Sequence, residues 1–171
     1  IADALVELAA AMTKSAAVNE RDSVLDEAQR ILDARNDSES LSRAELHLQR
    51  ASLLQYRDWQ RSAGYARQAA ALFERHNVPA KRAKALSVEA EAEYRVGNNE
   101  AAERGYQASL AIVQTLPAGR SHQLVVDVQM NLAMVQGQIL KISDADRNFR
   151  EAIEAAERIY GRDHDVYVKN L

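Results

Sequence analysis

The chain has no cysteine. That excludes disulfides, thiolate metal sites and cysteine nucleophiles together, and it fits a reducing compartment such as the cytoplasm. Two prolines and six glycines are all that interrupt 171 residues, so regular structure should dominate. Phe, Trp and Tyr together make up only 5%. No apolar run approaches the roughly 20 residues that cross a bilayer, so no membrane partner is expected. Neither sign of charge dominates: 22 basic residues stand against 25 acidic ones, for a net charge of −3. Nucleic acid, which calls for a basic excess, is not the expected partner.

What is present is ordinary for a folded soluble chain: 47% apolar and 27% charged residues, in a length that supports one domain with a real core. Alanine, the strongest helix former, is the commonest residue. A core of Ala and Leu with few aromatics suits close-packed helices better than a sheet. The first stretch, 1–12, is apolar but carries Asp3 and Glu7 and lacks a basic leader, so it reads as an amphipathic helix and not a signal peptide. The chain starts at Ile1 and stops at Leu171 inside what reads as a new helix, so it is expected to be part of something larger.

Three segments align, beginning at Arg57, Gly97 and Leu140. Each has a small residue at its sixth place (Ser62, Ala102, Ala145) and another seven further on (Ala69, Ser109, Ala152). Between them stand Ala66, Tyr106 and Phe149. A fainter copy runs through Arg21, Leu25 and Ala28, and the copies recur every 40 to 43 residues. Small, large, small at i, i+4, i+7 places all three on one helix face. The small residues admit a neighbouring backbone and the large one fills the gap between two helices.

A further helical stretch precedes each copy. First helices are expected near 1–14, 41–56, 80–96 and 121–138, and second helices near 19–35, 59–76, 99–116 and 143–160. The pairs thus run about 1–35, 41–76, 80–116 and 121–160 in one domain of 171 residues, with 165–171 starting another helix. The polar run 36–40 supplies cap residues. Asn77-Val78-Pro79 and Leu116-Pro117-Ala118-Gly119 stop helices, Gly97-Asn98-Asn99 forms a tight turn, and Gly161 caps the last helix.

These features resemble the tetratricopeptide repeat. Leu132-Ala133, Ala145, Phe149 and Ala152-Ile153 match its pattern in register, and Ala90, Gly97, Ala102, Tyr106 and Leu110 match with Glu89 in place of a leucine. In the first full unit Gln49-Arg50 occupy the Leu-small pair, with Leu48, Ala51 and Leu54 as the alternative register. The period exceeds the family's 34 residues and is similar to the longer variant of kinesin light chains and bacterial regulators. Ile159 to His164 resembles that variant's linker, with Asp165 replacing its proline. The resemblance implies an all-α, right-handed superhelical stack of antiparallel helix pairs.

Chemistry is hard to find. His47, His76, His122 and His164 are far apart in sequence and none is half of a His-x-x-x-His pair, so no metal site is expected. Glu89, Glu91 and Glu93 are two apart, which turns successive side chains through about 200° on a helix. There is no Gly-rich phosphate loop and no nucleophile elbow. Arg75, Lys81, Arg82 and Lys84 gather around the Pro79 turn without interleaved aromatics, and read as a charged exposed turn or a dock for an acidic partner. No catalytic residue, cofactor or metal is expected.

By resemblance, first helices line a concave face that holds a protein or peptide. The residues so placed are His47, Ala51 and Leu54; Lys84, Ser87, Glu91 and Tyr94; and Asp127, Met130, Asn131 and Met134. The Lys/Asn clamp by which one subfamily holds a C-terminal carboxylate is not reproduced. The expectation is a protein-binding scaffold, part of a larger regulator. The alternative is self-association, as a homodimer, through an uncapped end.

Overall fold

The computed structural model describes residues 1–12 and 18–161, leaving out the side chains of 18 and 118–122. The expected helix at 165–171, the linker histidine His164 and the side chain of His122 lie outside the described residues. Among the described residues eight helices follow in order: α1 (Ala2–Ala11), α2 (Val18–Ala34), α3 (Leu41–Leu54), α4 (Trp59–Arg75), α5 (Pro79–Arg95), α6 (Asn99–Gln114), α7 (Ala118–Gln138) and α8 (Ile142–Tyr160). No strand occurs among the described residues, and none of their helices is long and apolar enough to cross a membrane.

Local chemistry explains the boundaries. Ser40 and Asp58 cap α3 and α4, each side chain accepting the amide three residues on, of Arg43 and of Arg61. Pro79 opens α5, where its missing N–H costs nothing. Pro117 likewise stands just ahead of α7, which begins at Ala118, three residues before its expected start. Four helices end alike. Asn36, Asn77, Gly97 and Leu140 take the left-handed conformation, and the next amide (Asp37, Val78, Asn98, Lys141) donates back to the carbonyl of Leu32, Phe73, Glu93 and Gln136 at 2.8–2.9 Å.

The helices form two layers. Each packs on its sequence neighbours, and α1 also touches α3, α3 touches α5, and α5 touches α7. Among the described residues no member of α2, α4, α6 and α8 packs on another of that set. The first helices are therefore the closely spaced layer, and the stack curves toward them. The repeated small residues make that spacing possible. Ala69, Ser109, Ala152, Ser62 and Ala102 are completely buried, as are Tyr106 and Ala66 between them. Ser62 Oγ donates to the Ala51 carbonyl at 2.9 Å, and Ser109 Oγ to that of Ala83 at 2.8 Å, so each hydroxyl is satisfied by the backbone of the preceding helix.

Among the described residues two charged side chains, Arg43 and Glu103, are buried, and both are paired. Arg43 donates to the Asp37 carbonyl and to Asp33, tying the α2–α3 turn to α3. Glu103 accepts from Lys141 at 2.7 Å and from Gln136, whose amide oxygen in turn accepts from Asn148 at 2.8 Å. The network joins α6, α7 and α8 while leaving no member unpartnered.

Candidate functional site

Along α5 the residues Lys84, Ser87, Glu91 and Arg95 share one face, as Asp127, Met130, Asn131 and Met134 do along α7. Each set follows the i, i+3 or i+4, i+7 spacing of one helix face. The two helices stand side by side, and those faces become the walls of a cleft of about 410 Å³. Val88 lines it as well, and Gln55, Tyr56 and Trp59, from the α3–α4 corner, close one end.

The cleft is graded along its length. At the N-terminal ends of its walls Lys84 and Asp127 feel each other's charge without a hydrogen bond. Asp127 remains open to solvent, yet the flanking helices strip enough water to raise its carboxyl pKa, and Lys84 opposes the rise. At the other end Arg95 donates to Glu91 at 2.7 Å and lies 5.5 Å from the Trp59 ring centre, a cation–π distance. Trp59 in turn meets Tyr56 edge-on at 6.0 Å. Glu91 also accepts the Tyr106 hydroxyl at 2.8 Å. Burial first, and the Glu91 charge second, push the Tyr106 phenol far above its usual pKa, so it stays a donor. The large repeat residue of α6 thereby positions a carboxylate of the cleft. Met130, Met134, Tyr56 and Trp59 supply apolar surface, and the Met chains adapt to irregular shapes.

The structure thus brings Lys84, Ser87, Glu91, Asp127, Met130, Asn131 and Met134 into one cleft. It does not place the other four there. Ala51 is completely buried, its carbonyl accepting from Ser62. Leu54 ends α3, half-buried, with its carbonyl accepting from the Arg57 and Asp58 amides. Tyr94, half-buried, packs against the core cluster that holds Ala90 and Tyr106. His47 is turned toward α4, its ring 5.5 Å from that of Tyr65. For α3 the correction is one of register. One residue is a turn of about 100° on a helix, and Leu48 and Ala51 are needed in the core against α4 and α5. Gln55 and Tyr56 face the cleft instead. Trp59, Val88 and Arg95 were also missed. Two aromatics flanking one turn, in a chain with so few, were the available signal.

His47 carries a consequence for stability. Its Nδ1 is buried without a partner. Burial, then the Arg43 and Arg50 charges, lower its pKa to about 4, with Asp33 opposing. The folded chain refuses a proton that the unfolded chain accepts near pH 6.5, so the stabilisation is complete above that pH and is lost on acidification toward 4. Urea melts should show a fall of about 2 kcal/mol over that window, allowing for partial exposure. His47→Gln should flatten the fall.

Among the described residues no group of three or more His, Asp or Glu side chains is arranged to hold a metal ion. No protein-family model and no curated protein matches the sequence. Solved structures do match. One is BtubC (BKLC) from P. vanneervenii, a kinesin-light-chain-like protein of tetratricopeptide type, with a TM-score of 0.76 at 20% identity. The match covers 84% of this chain and 58% of that one, so this chain corresponds to less than two thirds of its length. At that identity the likeness concerns the fold: an all-helical, tetratricopeptide-like repeat stack.

Proposed function

We propose that the chain is a non-catalytic protein-interaction scaffold that holds a peptide or helix of a partner in the cleft between α5 and α7. One observation carries the reading. The faces of two neighbouring first helices and one aromatic corner converge on a single open cleft that mixes apolar, charged and amide groups. Such a mixture suits a polypeptide, which offers side chains and backbone together. A scaffold role agrees with the helical-repeat fold, as does the view that this is a longer-period stack within a larger regulatory protein.

Met134, Trp59 and Tyr56 are among the large apolar side chains of the cleft lining, and a side chain bound against them would lose water there. Met134→Asp places a charge there and is expected to weaken capture of the partner from a lysate at least about tenfold, near 1.4 kcal/mol. Lys84→Glu should act mainly through salt-dependent association. Gln68→Asp, on the exposed face of α4, should leave capture unchanged. Equal capture by the Met134 and Gln68 variants would remove the cleft from the account.

A further inference from the structure

Three of the four left-handed helix ends use Asn36, Asn77 and Gly97, residue types that adopt this conformation at least cost. The fourth uses Leu140, with φ 62°. Leu140 is also 82% exposed, the most open large apolar side chain among the described residues. One residue therefore breaks two local rules, a left-handed backbone at a leucine and a large apolar side chain left in solvent. Ile142, 62% exposed, opens α8 two residues later. Such inconsistencies between a sequence and its local structure are expected where function overrides folding.

Next to this projection lies a shallow hollow of about 550 Å³, floored by Gly97, Asn98, Ala101 and Ile139. Glu100 and Arg104 of α6 flank it, and neither forms an ion pair among the described residues. We propose that this edge of the stack is a two-fold contact with a second copy of the chain, Leu140 and Ile142 of each copy entering the hollow of the other. The makeup of the surface names the occupant. It carries both a projecting apolar pair and a hollow, both an acid and a base. A two-fold axis sets each feature against its complement, twice. A partner of one charge sign would leave Glu100 or Arg104 unmatched. The contact uses the helix-turn edge and not the α5–α7 cleft, so it stands or falls apart from the scaffold reading.

Sedimentation equilibrium of the 171-residue chain, up to about 200 µM, tests it. The parent should dimerise reversibly, and Leu140→Gly should weaken the dimer at least about tenfold. At monomeric dilution that variant should melt about 3 °C higher, because it relieves the left-handed strain, and the melt also verifies folding. Glu100→Lys should weaken the dimer, and adding Arg104→Glu should restore it. A parent that stays monomeric throughout overturns the proposal. So does a dimer that Leu140→Gly and Glu100→Lys both leave intact.

Discussion

Tyr106→Ala is expected to lower unfolding stability by about 4 kcal/mol, the scale for removing a fully buried aromatic side chain. Tyr106 is completely enclosed among Ala90, Ala102, Val128, Leu132 and Val135, so its loss opens a hole between α5, α6 and α7 at once. Ala90 and Ala102 among these neighbours have no bulk to collapse inward. Tyr106→Phe keeps the ring and removes only the donor to Glu91. That carboxylate retains Arg95 and access to the cleft, so the cost should be about 1 kcal/mol. Urea midpoints for the two variants, read with the slope held constant, separate packing from hydrogen bonding. Similar costs for both would mean that the packing of the ring contributes little.

Gly105→Leu should rank next, at about 3 kcal/mol, the upper end for overfilling a packed interface. A Cβ added at Gly105 would lie 2.9 Å from the Ala90 Cβ. The obstructing atom sits directly on the α5 backbone and cannot swing aside, so α5 and α6 would have to separate. Gly64, one helix pair earlier, is a useful contrast. It too lies inside a helix, but nothing approaches an added Cβ within 4 Å. Gly64→Ala should therefore stabilise by about 1 kcal/mol, through helix propensity alone. Thermal melts of the two variants should move in opposite directions. If Gly105→Leu melts with the parent, the close approach of α5 to α6 is not real.

The helix-pair stack was legible because its packing rule is written in residue size. Ser62, Ala69, Ala102, Ser109, Ala145 and Ala152 recur at one spacing and are all buried. The facing sides of α5 and α7 were reached through the family resemblance, with Tyr94 misplaced and Val88 and Arg95 overlooked. The α3 side was not, because Gln49-Arg50 replace the family's apolar pair and leave two registers one residue apart, which only the packing of Leu48 and Ala51 decides. Arg43 and Glu103 were invisible for a different reason. A charged residue reads as exposed, and burial becomes tolerable only through partners 10 and 38 residues away, Asp33 and Lys141. Leu140 was likewise unreadable, since nothing about a leucine announces a left-handed helix end.

The most direct test of the scaffold reading is site-specific photo-crosslinking in the source cell. A photoreactive side chain would be placed at Met134 or Met130 in the cleft, and at Gln68 on the outer face of α4 as a control. Met134 and Met130 are expected to capture the same short segment of one partner protein, and Gln68 none of it. The same partner captured from Gln68 but from neither methionine would contradict the scaffold reading.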